Sequence, residues 1–298
     1  MHGWIIIDKP LGTGSTQIVS AVRRALRQGG YPKFKTGHGG TLDPLATGVL
    51  PIAIGEATKL AGRMLDSDKA YDFTIGFGTE TDTLDAEGQP VATSTARPTL
   101  ADVEAVLQRF TGPVEQQPPA YSALKVDGAR AYDLARAGET VALATRTVTI
   151  HALAIAGQAL PDAVTLSARV SKGTYIRSLA RDIARALGTV GHVTMLRRTK
   201  AGPFGLDSAI SLDKLAEFAM ARRLEAITLP LTAGLDGIPA LNVTPDQARL
   251  LRQGQKLVGI AAASGLHLAV SGDTPVALVE ADGPGIRPEI RVVRGFNL

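Results

Sequence analysis

TGHGGTLDPLATGVLPIAIG, residues 36–55, contains five glycines and two prolines but a single charged side chain, Asp43. Glycine and proline at that density break regular elements, so the stretch reads as a loop, and its lack of charge says that the loop packs inside the protein. Glycines near Asp43 permit close backbone approach to a ligand, and Pro44 holds the residue before it in extended backbone. A buried carboxylate without a partner takes up a proton, so a cation is expected beside Asp43 to keep it ionised. On the residues alone, the alternative is a turn aspartate that accepts from loop amides.

Outward from this stretch the pattern is mixed α and β. Trp4 to Ile7 is a short apolar strand, followed by the turn KPLGTGS and by Ile18, Val22, Ala25 and Leu26 at helical spacing behind a Ser15 or Thr16 cap, with Gly29-Gly30 as the stop. Tyr71, Phe73 and Ile75 alternate with polar residues, as do Val164, Leu166, Ala168 and Val170, and both runs predict half-buried strands. Leu100 to Phe110 behind Thr99 predicts an amphipathic helix. A second helix is expected from Tyr175 to Leu187, with Ile176, Leu179, Ile183 and Leu187 on one face and Arg177, Arg181 and Arg185 as a stripe on another. The stretch from Leu224 to Ala240 reads as a connection between domains, and the apolar runs 276–279 and 290–293 predict a small β-rich unit beyond it.

With 298 residues, 45% hydrophobic and 20% charged, the chain can bury a large core. It has no cysteine, which removes disulfides, thiolate metal sites and a cysteine nucleophile, and fits a reducing cytoplasm. The N-terminus carries no export signal pattern, and the longest uncharged stretch, 257–272, falls short of the ~20 residues of a membrane span. The net charge of +4 is unevenly placed: residues 1–70 hold nine basic and five acidic side chains, and residues 168–203 hold eight and one. If the fold joins these segments, a surface for a polyanion results. GTGS lacks the lysine of a phosphate-binding loop, and GxSxG and HExxH do not occur. The spacing of Asp82, Asp85 and Glu87 does not match a calcium loop, and no metal is expected.

GHGGTLDPLATGVLPIAIGEATK (37–59) resembles the signature of the TruB family, the bacterial tRNA pseudouridine-55 synthases. DKPLG (8–12), DSDKAYDF (66–73), TDTLDAEG (81–88), PPAYSALKVDGARAYDLAR (118–136), SKGTYIRSLARD (171–182) and GHVTMLRR (191–198) follow in the family's order. One departure is Gly14, where the family usually has a hydroxyl residue. The resemblance implies an α/β (α+β) architecture: the pseudouridine synthase fold with a mixed, largely antiparallel sheet in residues 1–238, and a small C-terminal PUA-like β-barrel in residues 239–298. It implies an insertion against the T arm at about 118–145, a tRNA substrate, and isomerisation of a flipped-out uridine to pseudouridine without cofactor, with a possible tRNA-folding role. A cytoplasmic monomer with no membrane contact and no obligate protein partner is expected. Asp43 is carried over as the nucleophile, Tyr71 as the ring stacked on the uracil, and Arg177 as the partner of Asp43, its planar fork able to hold the carboxylate through two parallel hydrogen bonds. Tyr175 and Leu196 line the same pocket, and His38 fills the space of extruded nucleotides. Lys9, Asp85, Lys125, Arg130 and Arg181 are expected as further RNA contacts or fold supports. A folding module without catalysis and a synthase acting on another RNA are the competing readings.

Overall fold

The structure, a computed structural model, describes residues 1–122, 125–126, 129–130, 143–283 and 288–298. Strand β1 (Gly3–Lys9) leads into helix α1 (Ser15–Gln28), then β2 (Thr36–His38), β3 (Ala46–Ile54), α2 (Ala61–Asp66) and β4 (Lys69–Phe77). A short pair, β5 (Thr79–Thr81) and β6 (Pro90–Thr93), precedes α3 (Leu100–Leu107) and β7 (Gly112–Gln116). After the two-residue strands β8 (Lys125–Val126) and β9 (Ala129–Arg130) come β10 (Arg146–Ala159), β11 (Ala163–Val170), α4 (Ile176–Ala186), β12 (Gly191–Ala201), β13 (Phe204–Gly205), α5 (Leu212–Met220) and β14 (Leu229–Pro230). One ten-stranded sheet runs β14-β1-β3-β12-β4-β11-β10-β7, with β2 added to β3 and β13 to β12. Among its described pairings only β3–β12 is parallel, which is the mixed, largely antiparallel sheet that was expected.

Half of the expected loop at 36–55 is therefore a central strand. Both faces of β3 are covered, so its sequence shows a continuous apolar run in place of the alternation that marks a half-exposed strand. The two breakers have specific uses. Gly48 has φ +100°, and a Cβ there would lie 2.1 Å from the Arg198 carbonyl oxygen, so the parallel approach of β12 requires glycine. Pro51 accepts from the Gly39 amide on the side where the partner changes from β12, which ends opposite Gly48, to β2, which starts opposite Ile52. Its missing N–H falls in that gap.

Helices α3 and α4 pack one half of the sheet through Phe73, Val103, Leu166 and Leu179, while α1 and α5 pack the other through Ile7, Ile18, Leu50 and Leu215. The predicted Thr99 cap forms: Thr99 Oγ1 accepts from the Asp102 amide and Asp102 accepts from the Thr99 amide. For α1 the cap is Gly14, not Ser15 or Thr16, and Gln17 accepts from its amide. Glycine is tolerated at that position, and Ser15 is left free for another bond.

The stretch 224–240 is not a loose connection. Its strand β14 pairs with β1, the Trp4 indole donates to the Leu231 carbonyl at 3.2 Å, and a Cβ on Gly234 would lie 2.7 Å from the Trp4 ring. Beyond it, β15 (Ala240–Asn242), α6 (Pro245–Arg252), β16 (Leu257–Val258), β17 (Gly265–Ser271), β18 (Thr274–Ala281) and β19 (Glu289–Gly295) form an open five-stranded sheet ordered β15-β17-β18-β19-β16, the PUA-like unit. Its Leu268, Leu278 and the following Phe296 share one cluster with Trp4, Ile6, Val49 and Phe204 of the large sheet. No helix among the described residues is long and apolar enough to cross a membrane.

Candidate active site

Asp43 opens a tight turn: its carbonyl accepts from the Ala46 amide at 3.0 Å, with Pro44 at the position that favours proline. Three buried side chains fix the surrounding loop. Arg198, 1% exposed, donates through Nη2 to Gly40 O at 3.2 Å, Nη1 to Thr41 O at 3.3 Å and Nε to Val49 O at 2.8 Å. Ser15 Oγ donates to Leu42 O at 2.9 Å and accepts from Leu42 N at 2.8 Å. Lys9 Nζ, wholly buried, donates to Pro44 O, Pro10 O and Thr13 O at 3.1, 3.1 and 2.6 Å, and the Gly12 amide also reaches Pro44 O at 2.9 Å. Burial brings the Lys9 ammonium down to about 8, with Asp43 opposing the shift. Lys9 is thus a clamp on the loop and does not reach a phosphate. The departure at Gly14 leaves this network intact, because Ser15 makes the hydroxyl contact.

Arg177, from the first turn of α4, pairs with Asp43 as expected, Nη2 to Oδ2 at 3.0 Å, but does not grip it with both arms. Nη1 lies 3.3 Å from Asp85 Oδ2, and the same two nitrogens donate to Thr83 O at 2.9 Å and Tyr121 O at 3.0 Å. One guanidinium is shared by two carboxylates and two carbonyls. Asp85, 5% exposed, also accepts from Thr83 Oγ1 at 2.6 Å and from the Glu87 amide at 3.0 Å. It lies buried against Arg177 and is not turned outward. The Asp43 side chain is 39% exposed, so it faces open space and is not the buried carboxylate first expected. Among the described residues it accepts from Arg177 and from no loop amide, which sets aside the turn-aspartate reading.

That open space is a cleft of about 1940 Å³ lined by Asp43, Tyr71, Tyr175, Leu196, His38 and Arg146 among others. It exceeds the several hundred Å³ of a small-molecule pocket and suits part of a macromolecule. Tyr71 is half-buried in the middle of β4, packed on the cores at both ends of the sheet, and Leu196 lies opposite Phe73 on β12. Tyr175 caps α4. Gln116, 1% exposed, holds its main chain with both amide atoms, at 2.7 and 3.0 Å, and the Arg146 guanidinium lies 4.7 Å over its ring. His38 has a buried Nδ1 without a partner among the described residues, and burial with the Arg198 charge lowers its pKa, so the ring is neutral near pH 7.

The arginine stripe on α4 does not form a free basic face. Arg181, its side chain 11% exposed, donates to Asp182 at 2.8 Å and to Gln117 O at 3.3 Å, and Arg185 holds Glu80 with two bonds of 2.7 and 3.2 Å. The two basic segments do meet along β3 and β12, where neither of two adjacent arginines is left free: Arg197 pairs with Asp8 at 2.8 Å and Arg198 is buried. The side chains of Lys125 and Arg130, and most of the expected insertion at 118–145, lie outside the described residues. Sequence reasoning missed Arg198 and Gln116. For Arg198 a signal existed, since adjacent arginines in a strand point to opposite faces and one of the pair must turn inward.

Residues 23–176 match the model of the TruB family pseudouridylate synthase N-terminal domain, and residues 177–236 match that of the tRNA pseudouridylate synthase B C-terminal domain. The chain belongs to the TruB family. A tRNA pseudouridine synthase B of Novosphingobium aromaticivorans is 63% identical over 100% of this chain and 98% of its own length, and one of Zymomonas mobilis subsp. mobilis is 61% identical over 100% and 96%. The fold is that of a chain in a Cbf5-Nop10-Gar1 complex, with a TM-score of 0.76, 24% identity and coverage of 99% of this chain and 85% of that one. As a TruB family member the chain is an RNA-modifying isomerase.

Proposed function

We propose that the chain converts the uridine at position 55 in the T arm of tRNA to pseudouridine, with Asp43 as the nucleophile on a flipped-out nucleotide. One observation carries this reading: a half-exposed carboxylate at the floor of a wide cleft, on a loop held from beneath by Lys9, Ser15 and Arg198 and aimed by Arg177. An ionised aspartate is a competent nucleophile, and a loop fixed before the substrate arrives has no reorganisation left to make. In the net reaction the bond from ribose C1′ to N1 breaks and a bond from C1′ to C5 forms. C5 loses its proton and N1 ends protonated, so atoms and electrons balance with no cofactor or metal. Tyr71 offers a ring face to the uracil, with its hydroxyl near the C5 atom that must lose a proton. His38 occupies the gap left by the extruded base, a role that suits a neutral ring; emptying that gap costs a few kcal/mol. Tyr175 and Leu196 wall the pocket.

The same reading divides the chain into a catalytic unit, 1–238, and a PUA-like unit, 239–298, and places it in the cytoplasm as a monomer. The test is Asp43→Asn, which keeps size and removes the charge. Pseudouridine at position 55 of a tRNA transcript, read by sequencing, should vanish while tRNA binding persists. Turnover by a verified, non-deamidated Asp43→Asn protein would overturn the assignment. Sequencing RNA from cells without the chain separates position 55 from a ribosomal target.

A further inference from the structure

Among the described residues, a row of cations without partners lies outside the cleft, along α1 and the turn after α5. Residues 9–42 contain six lysines and arginines and no acid. On α1, Thr16 and Gln17 line the cleft mouth, and the same exposed face continues through Ser20 to Arg23, Arg24 and Arg27, at steps of three and four residues. Ten residues of helix carry that face about 15 Å away from the cleft. At its far end α1 meets the last turn of α5: a Cβ on Gly29 would lie 3.2 Å from Ala219 O, and the Tyr31 hydroxyl bonds Glu225 and the Leu224 amide. Arg222 and Arg223 follow that turn, and Lys33 and Lys35 follow α1, all exposed. Among the described residues, Arg24, Arg27, Lys33, Lys35, Arg222 and Arg223 have no carboxylate or carbonyl partner, in contrast to the arginines of α4. Arg222 also sits at φ +53°, just past the end of α5, where glycine is the favoured residue.

We infer that this face of α1, with the turn after α5, is a second docking surface for the tRNA, taking backbone phosphates of the helical part of the molecule outside the T arm. The inference rests on the T-arm reading above: the basic face begins at Thr16 and Gln17, on the rim of the cleft that would take the hairpin. Unpaired cations in a row along α1, with no acid in residues 9–42, suit a phosphate ladder.

The experiment compares the parent chain with the triple variant Arg24→Glu, Arg27→Glu, Arg223→Glu and with Arg24→Lys, Arg27→Lys, Arg223→Lys, using a full-length tRNA transcript and an isolated T-arm hairpin. The Glu variant should bind full-length tRNA about tenfold more weakly at 0.1 M salt, with the slope of log K against log salt reduced by about 3, one contact per arginine. Its conversion of the hairpin should equal the parent's, and the Lys variant should behave as the parent on both RNAs. Unchanged affinity of the Glu variant for full-length tRNA, or an equal loss on tRNA and hairpin, overturns the second surface. Conversion of the hairpin by the parent chain tests the T-arm reading by itself, so the two can fail separately.

Discussion

Arg177 is the residue on which the site turns, because its guanidinium joins two carboxylates and two main-chain carbonyls that come from three separate places in the chain: Asp43, the turn of Thr83 and Asp85, and Tyr121. Lysine would keep the charge but offers one nitrogen where the fork offers two in a fixed plane. The Arg177→Lys protein is expected to fold and to bind tRNA, while its single-turnover rate falls about 100-fold through misplacement of Asp43 by about 1 Å. A rate within a few-fold of the parent's would show that the shared fork does not aim the carboxylate. From sequence, the pairing of Arg177 with Asp43 was legible through the family resemblance, but the division of the fork was not. Asp85 and Thr83 lie in a turn whose contact with α4 depends on the parallel neighbour of Val193, and no local pattern reports such a juxtaposition.

At the scale of elements, the Asp43 loop is an insertion between β2 and β3 whose shape is dictated by side chains from β1, α1 and β12. The regular elements with one wet face were readable because alternation and helical spacing survive in them: β4, β11, α1, α3 and α4 stand where the apolar periods put them. The central strand β3 was not readable, since burial on both faces erases the alternation and its glycine and proline are the marks of a loop. The clamp from β1 has a measurable signature. Lys9 and Lys69 are each brought to about 8 by burial, below the ordinary 10.5. Below pH 8 both are charged whether the chain is folded or unfolded; between 8 and 10.5 the unfolded chain holds more protons, so stability rises with pH through that window. Denaturant titrations at pH 8 and pH 10 should show the parent gaining on the order of 1 kcal/mol relative to Lys9→Met. An equal response of both proteins would remove the lysine from the account.

At the scale of the whole molecule, some cations are turned inward and hold the fold, while those of α1 include a row left without partners among the described residues. Arg181, held by Asp182 and Gln117, belongs to the first group, so Arg181→Ala should leave the salt slope of tRNA binding unchanged; a slope reduced by about 1 would place it on the RNA. The PUA-like sheet is equally integrated. Phe296, 1% exposed, packs in the cluster of Trp4 and Phe204, while Lys59 donates to Gly295 O at 2.8 Å and Glu56 accepts from the Asn297 amide at 2.8 Å. Phe296→Ala should lower the unfolding free energy by about 3–4 kcal/mol, with the transition remaining single; a separate early melting step would mean the sheets are independent. The meeting of Trp4 with Phe296 also has a consequence in time. A ribosome adding about 5–20 residues per second takes roughly 15–60 s to travel from one to the other. For that interval the first strand, four apolar residues in a row, waits with one flank uncovered, and the emerging polypeptide is a client for whatever shelters hydrophobic segments until the last partner arrives.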